Sequence, residues 1–273
     1  MNTFTVITPT GDRPEPFKLC CHFMQRQSVY PTEWIIVDDG VVPTSPPDLP
    51  FVKYIRRINT SPEGVHTLPL QMIEALQHVT TDKIIMFEDD DWYCSDYFER
   101  MLKLFEQHPK AKLIGQDKAV YYHIPFRKCF QLSNVDRASL CQSAFRVELI
   151  VSIVHICNTI NNPFIDIVMW QVRKGSKYAK EKYLLTDAPP MCVGIKGLPG
   201  RVCKKTIGHR GLHPKFKPDP NLSKLRSFIG NDVSLYQKFK YVRHSTPIER
   251  SSAVGHARHI KTAMNNSSRS VFR

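Results

Sequence analysis

Short apolar runs, each closed by polar or acidic residues, alternate with stretches of helical spacing through the first half of this chain. Phe4 to Thr10 reads as a buried first strand, stopped by the turn Gly11-Asp12-Arg13-Pro14. Phe17 to Gln27 repeats apolar residues at helical spacing (Phe17, Cys20, Cys21, Met24), and Tyr30-Pro31 closes it. Trp34-Ile35-Ile36-Val37 predicts a second strand that ends in Asp38-Asp39-Gly40. A proline-rich loop, Val41 to Pro50, leads to a third strand from Phe51 to Arg56. Leu68 to Val79 is a predicted helix, Lys83 to Phe87 a fourth strand, and Tyr97 to Gln107 a helix that stops before Pro109.

That rhythm predicts an α/β fold with a mostly parallel sheet flanked by helices. Ligands of open α/β sheets bind beyond the carboxyl ends of the strands. Three of the predicted strands end in polar or acidic groups, namely Thr8-Pro9-Thr10, Asp38-Asp39 and Glu88 to Asp91, and all three should line one crevice. The second half is less regular. Leu113-Ile114-Gly115 and Val120 to Ile124 read as strands, Val147 to Asn158 and Ile165 to Val172 as helices. Beyond Gly194 the chain becomes loop-like, and Ala263 to Arg273 has the polar composition of a flexible tail.

Charge divides the chain more sharply than periodicity does. Residues 1–195 carry 21 Lys+Arg against 22 Asp+Glu, whereas residues 196–273 carry 17 against 3. A net +14 confined to the C-terminal part points to a polyanionic partner. The expected organisation is therefore a catalytic domain over 1–195, a basic loop and helical extension over 196–262, and a tail over 263–273. No apolar run approaches the roughly 20 residues that span a bilayer, and the N-terminus lacks the features of a signal peptide. The eight cysteines show no CxxC spacing, which disfavours a zinc site and suits reduced thiols. A cytoplasmic protein is expected, in the host cytoplasm if its source is viral.

Glu88-Asp89-Asp90-Asp91, directly after the apolar run Ile84-Ile85-Met86-Phe87, carries the most chemistry. Uncompensated buried charge costs several kcal/mol, so such a cluster needs a counter-charge. Carboxylate oxygens suit Mg²⁺ or Mn²⁺, and Mg²⁺ is commonly shared with the phosphates of a substrate. Trp92 and Tyr93, just beyond, are placed either to stack on a sugar or to join the core.

These residues together resemble the GT-A-fold glycosyltransferases of the family-two type. The resemblance rests on the first strand with Thr-Pro-Thr, the second with Val-Asp-Asp-Gly, Asn59 with Gly64, and the acidic cluster, and it spans about residues 4 to 175. It implies that Thr8, Pro9 and Thr10 flank the base and ribose of a uridine nucleotide, that Asp38 or Asp39 bonds the uracil, and that Gly64 belongs to the same site. It also implies that the acidic motif grips Mn²⁺ or Mg²⁺ on the diphosphate. Glu88 with Asp90 and Asp89 with Asp91 are both admissible frames; Asp89 and Asp91 are preferred, with Asp90 next. Ser143 to Arg146, followed by Pro163 to Trp170, resembles the acceptor-side segment, which makes Asp166 the candidate general base.

The resemblance implies a UDP-sugar donor and transfer with inversion. Lys196, Arg201 and Arg210 would close over the diphosphate from a Gly/Pro loop, and His209 would complete the metal shell. The acceptor is expected to be polyanionic, with DNA bearing a hydroxymethylated base favoured over an anionic membrane. Basic residues interleaved with Phe216, Phe228, Tyr236, Phe239 and Tyr241 suit a surface that follows phosphates and stacks on bases. A cell-envelope glycan or lipid is the rival acceptor. A nucleotidyltransferase would need more glycine after the first strand than Gly11 alone. A non-catalytic nucleic-acid-binding module would not need acids on three strand ends.

Overall fold

The computed structural model describes residues 3–61, 66–134, 136–160, 163–171, 181–186, 188–201 and 215–239. Gly64, His209, Arg210 and Tyr241 therefore lie outside the described residues, as does the segment 240–273.

A seven-stranded sheet carries the fold. In chain order its strands are β1 (Thr5–Thr10), β2 (Glu33–Asp38), β3 (Val52–Arg56), β4 (Lys83–Met86), β6 (Leu113–Gln116), β9 (Ser143–Arg146) and β10 (Lys182–Leu185). Their spatial order is β10-β6-β9-β4-β1-β2-β3. Four of the six pairings are parallel, and β9 alone runs antiparallel to both neighbours. The mostly parallel expectation holds for the N-terminal part. Nothing in the short Ser-Ala-Phe-Arg run announces a strand that returns between β4 and β6.

β1 lies inside the sheet, so its whole length is buried although three of its six residues are threonines. Alternate residues feed two cores. Val6, Trp34, Ile36 and Ile85 face α1 (Pro14–Gln25) and α3 (Tyr97–Gln107). Ile7, Ile35, Val37 and Ile84 face α2 (Leu68–Leu76), α4 (Ile150–Thr159) and α5 (Ile165–Trp170). α1 begins at Pro14, three residues before the predicted start, because proline suits the first helical turn.

The sequence pattern did not disclose a second sheet of five strands. It comprises β5 (Trp92–Tyr93), β7 (Lys118–His123), β8 (Lys128–Ser133), β11 (Cys192–Lys196) and β12 (Lys217–Pro218), in the order β12-β8-β7-β11-β5. β11 corrects the loop expected from Gly194, since Cys192 to Lys196 is a fully buried strand and the Gly/Pro loop starts only at Gly197. Two short C-terminal helices, α6 (Ser223–Ile229) and α7 (Val233–Tyr236), pack Leu225, Ile229, Val233 and Tyr236 into the same core as α1 and α3. Among the described residues no helix is long and apolar enough to cross a membrane.

The chain runs outward from β1 to β2 and β3, then returns to the other side of β1 as β4. Neighbouring strand ends diverge at such a reversal, and a ligand crevice opens there. The residues leaving β1 and β4 border it.

Candidate nucleotide and metal site

Leaving β1, Asp12 adopts a left-handed backbone (φ 53). Its carboxylate accepts the N–H groups of Val41 (2.7 Å) and Val42 (3.2 Å), which ties this turn to the end of β2. The turn lies so close to Gly40 that a Cβ there would collide with the Asp12 backbone nitrogen. The Asp-Asp-Gly motif thus ends in glycine because backbone meets backbone.

Arg13 follows, at the N-cap of α1. Its guanidinium forks between two aspartates, 3.1 Å from Asp89 Oδ1 and 2.7 Å from Asp90 Oδ2. Burial opposes its charge, yet Asp89 and Asp90 hold its pKa above the ordinary range. From the opposite side Lys196, at the end of β11, lies 3.2 Å from Asp91 Oδ1 and 3.5 Å from Asp90 Oδ2. Burial opposes this charge too, and Asp90 and Asp91 overcome it. Thr10 donates to Asp89 (2.8 Å) and the Ile195 N–H to Asp91 (3.0 Å).

Three negative groups and two positive ones are packed here with little water. Burial raises the Asp89 carboxyl to about 6 against the pull of Arg13, and the Asp91 carboxyl to about 6 against that of Lys196. Burial and the adjoining Asp91 and Asp90 push Glu88 well above the usual carboxylate range. Replacing Arg13 by Met should therefore destabilise the protein by about 3–5 kcal/mol, the cost of leaving buried carboxylates unpaired. Denaturant unfolding measures this, and lowering the pH should recover part of the loss because the orphaned acids then take up protons.

Carboxylate oxygens of Glu88, Asp90 and Asp91 lie within 4.8 Å of one another, and Asp91 Oδ2 is buried without a hydrogen bond among the described residues. This all-oxygen set fits a hard divalent cation. Asp91 also lies near the thiols of Cys141 and Cys192, a softer set that suits Mg²⁺ or Mn²⁺ less well. Of the preferred metal ligands, Asp90 and Asp91 belong to the oxygen group, and Glu88 takes the third place. Asp89 is engaged by Thr10 and Arg13.

Asp38 and Asp39 differ sharply. Asp38 accepts the N–H groups of Gly40 (2.8 Å) and Thr44 (2.6 Å) and the Tyr54 hydroxyl (2.7 Å), and pairs with Arg56 (3.0 Å). It shapes the loop after β2. Asp39 pairs with Arg201, and Arg57 stands 3.6 Å from its other oxygen. Thr8 is engaged inside the sheet, accepting from Trp34 Nε1 (2.8 Å) and donating to the Phe87 carbonyl (2.7 Å). Pro9 is buried in β1 beside it. Gln71 on α2 bonds the carbonyls of Thr10 (2.6 Å) and Val37 (3.1 Å), holding the ends of β1 and β2 in register.

Asp166 lies in the first turn of α5. Burial pushes its carboxyl up to about 6, moderated by Arg137. Its charge reaches Glu88 and Tyr121, and it is not one of the carboxylates grouped at the acidic cluster. Trp170, four residues on, is a core residue whose indole donates to Ser143 Oγ (2.9 Å).

Trp92 and Tyr93 take the core alternative. Trp92 donates to Asp232 (2.6 Å), and Tyr93 stacks on Phe87 (4.0 Å between centroids) while its hydroxyl accepts the Glu88 N–H (2.7 Å). The expected base-stacking aromatics of the C-terminal part are corrected likewise. Phe216 and Tyr236 are buried, and Phe228 and Phe239 pack against the core. Phe228 lies on α6 and Tyr236 on α7, while Phe216 and Phe239 flank β12 and α7. The role of Arg13 was not expected from the sequence, although a lone arginine three residues beyond Thr-Pro-Thr was the available signal.

Residues 5–128 match the family model described as glycosyl transferase family 2. No curated protein matches the sequence. Among solved structures, residues 1–349 of S. aureus TarS align at 13% identity and TM-score 0.44, covering 71% of this chain and 60% of that one. The same fragment in complex with UDP-GlcNAc aligns at 13% identity and TM-score 0.45, covering 75% and 61%. A longer S. aureus TarS structure aligns at 12% identity and TM-score 0.43, covering 71% and 37%. The chain thus spans about three fifths of the shorter TarS structures.

Proposed function

We propose that this chain, whose residues 5–128 match glycosyl transferase family 2, is a GT-A glycosyltransferase that moves a sugar from a UDP-sugar to a hydroxyl of a polyanionic acceptor, with inversion at the anomeric carbon. The observation that supports this reading best is the all-oxygen group of Glu88, Asp90 and Asp91, with Asp166 near enough for its charge to act on Glu88. A single base facing the donor from the acceptor side suits in-line displacement.

On this reading Asp39 meets the nucleoside, because Asp38 is consumed by its own loop. Thr10 and Pro9 line the same strand end, and Thr8 supports it from within the sheet. Glu88, Asp90 and Asp91 would hold Mn²⁺ or Mg²⁺, which when bound supplies Lewis-acid stabilisation of the leaving diphosphate. Arg13 and Lys196, held on the acidic cluster, and Arg201, held on Asp39, add fixed positive charge, and charge held in place before reaction lowers the barrier without reorganisation. Asp166 takes the acceptor hydroxyl proton as that oxygen attacks. Residues 1–195 then carry the donor site and catalysis, and the basic extension 196–262 closes that site and contacts the acceptor.

DNA with a hydroxymethylated base is the favoured acceptor, the base being turned out of the duplex to reach the site. The charge of residues 196–273 supports a polyanion. A screen of UDP-sugars by UDP release, with Mn²⁺ or Mg²⁺ and with or without hydroxymethylated DNA, tests the proposal. Metal-dependent release stimulated by that DNA is expected, and the stimulation should fade steeply with salt. Release stimulated only by a saccharide or lipid would overturn the acceptor, and no release from any UDP-sugar would overturn the donor.

A further inference from the structure

The segment 215–239 sorts its charges by sign. Its two acids both point inward. Asp219 is buried and accepts from Ser223 Oγ (3.1 Å), the N–H groups of Lys224 (3.0 Å) and Leu225 (3.1 Å), and the Tyr122 hydroxyl (3.0 Å). Asp232 takes the Trp92 indole (2.6 Å) and pairs with Arg26. The basic side chains Lys215, Lys217, Lys224 and Arg226 remain exposed. Lys238 is also exposed and pairs with Glu15 (2.6 Å).

Three of these lysines share one edge. Lys217 pairs with Cys129 across β8 and β12, and Cys129 with Tyr122 across β7 and β8, so all three side chains lie on one face of the second sheet. Lys215 precedes Lys217 by two residues, and Lys224 is near enough for its charge to act on Cys129 from α6. The edge is joined to the crevice. Ile124 N–H bonds the Lys196 carbonyl (2.9 Å), Asp219 N–H bonds the Arg127 carbonyl (2.7 Å), and the Arg127 guanidinium reaches the Pro220 carbonyl (2.7 Å). One turn therefore separates the lysine edge from the Lys196 end of the site.

We propose that the edge formed by Lys215, Lys217 and Lys224 is a docking surface for the phosphate backbone of duplex nucleic acid. The inference deepens the polyanionic-acceptor reading and rests on it. Nucleic acid is favoured over a lipid surface because the edge offers charge with no apolar anchor. Leu222, Leu225, Ile229 and Val233 all face the core, and the exposed large apolar side chains of the described residues fall outside 215–239. An interfacial helix needs an apolar face to sink among headgroups. The inward aromatics likewise remove the stacking platform that single strands require, which leaves backbone contact as the mode.

Fluorescence anisotropy of the full chain with a labelled DNA duplex, without donor, tests this across a sodium chloride series. The log–log salt slope should fall by about two in K217Q/K224Q, roughly one per lost phosphate contact. Binding near 0.15 M salt should weaken roughly ten- to thirtyfold. The control K53Q/K110Q removes the same charge from exposed lysines elsewhere and should leave the slope unchanged. An unchanged slope in K217Q/K224Q, or an equal fall in the control, overturns the surface. So does retention on phosphatidylserine vesicles without duplex binding. Failure of the transferase reading shows separately, since D91N should bind duplex normally whether or not it releases UDP.

Discussion

Asp91→Asn should lower UDP-sugar turnover by on the order of 10³ while the protein stays folded. The exchange is nearly isosteric at a fully buried position, and the amide retains an oxygen for the Ile195 N–H. What it removes is negative charge, at the one residue that belongs to the oxygen cluster, pairs with Lys196 and keeps a buried oxygen free of hydrogen bonds among the described residues. Charge stabilisation at a leaving phosphate contributes several kcal/mol, and each 1.36 kcal/mol is about tenfold in rate. Steady-state UDP release at saturating metal, alongside thermal denaturation of the same sample, separates lost chemistry from lost structure. Turnover within about tenfold of the unaltered protein would remove the acidic cluster from the mechanism.

Asp166→Asn should reduce transfer to the acceptor by about 10²–10⁴, the usual contribution of a positioned base, with little change in KM for the donor. The pH profile gives the sharper reading. A base works only when deprotonated, and burial places this carboxyl near about 6. Transfer by the unaltered protein should therefore rise with pH through that region and level off above it, and the asparagine variant should lack the rise. If both proteins keep the same acidic limb, the limb belongs to Asp89 or Asp91, whose carboxyls lie in the same range, and Asp166 serves only to begin α5.

Legibility in the sequence followed solvent exposure on the two faces of each element. β1, β2 and β4 are covered on both faces, so the apolar runs of β2 and β4 are unbroken and the polar exits of all three stand out. The acidic cluster and Asp38-Asp39 were visible for that reason, whereas Asp166 was reached through the resemblance of Pro163 to Trp170 to the acceptor-side segment. The second sheet was not visible beyond the strand expected over Val120 to Ile124, which is β7, because β8 mixes inward and outward residues and β5 and β12 are only two residues long. Lys196 was misplaced for a related cause. Gly194 suggests a loop, yet here the glycine sits in β11 where a Cβ would press on the Tyr121 ring, a close approach that only the paired strands reveal.

By itself the sequence determined which chemical groups this protein owns: acids at strand exits, a basic C-terminal part, and the alternation that builds a parallel sheet. Local pattern suffices for that, since periodicity and burial act over neighbouring residues. Only the tertiary structure decided how the groups divide their work. It committed Asp38 to its own loop and paired Asp39 with Arg201, brought Arg13 and Lys196 from distant segments onto one aspartate cluster, where they share Asp90, and turned Asp219 and Asp232 inward so that one edge remains positive. Those outcomes depend on pairings between residues far apart in the chain, where the cost of a buried unpaired charge selects the partner.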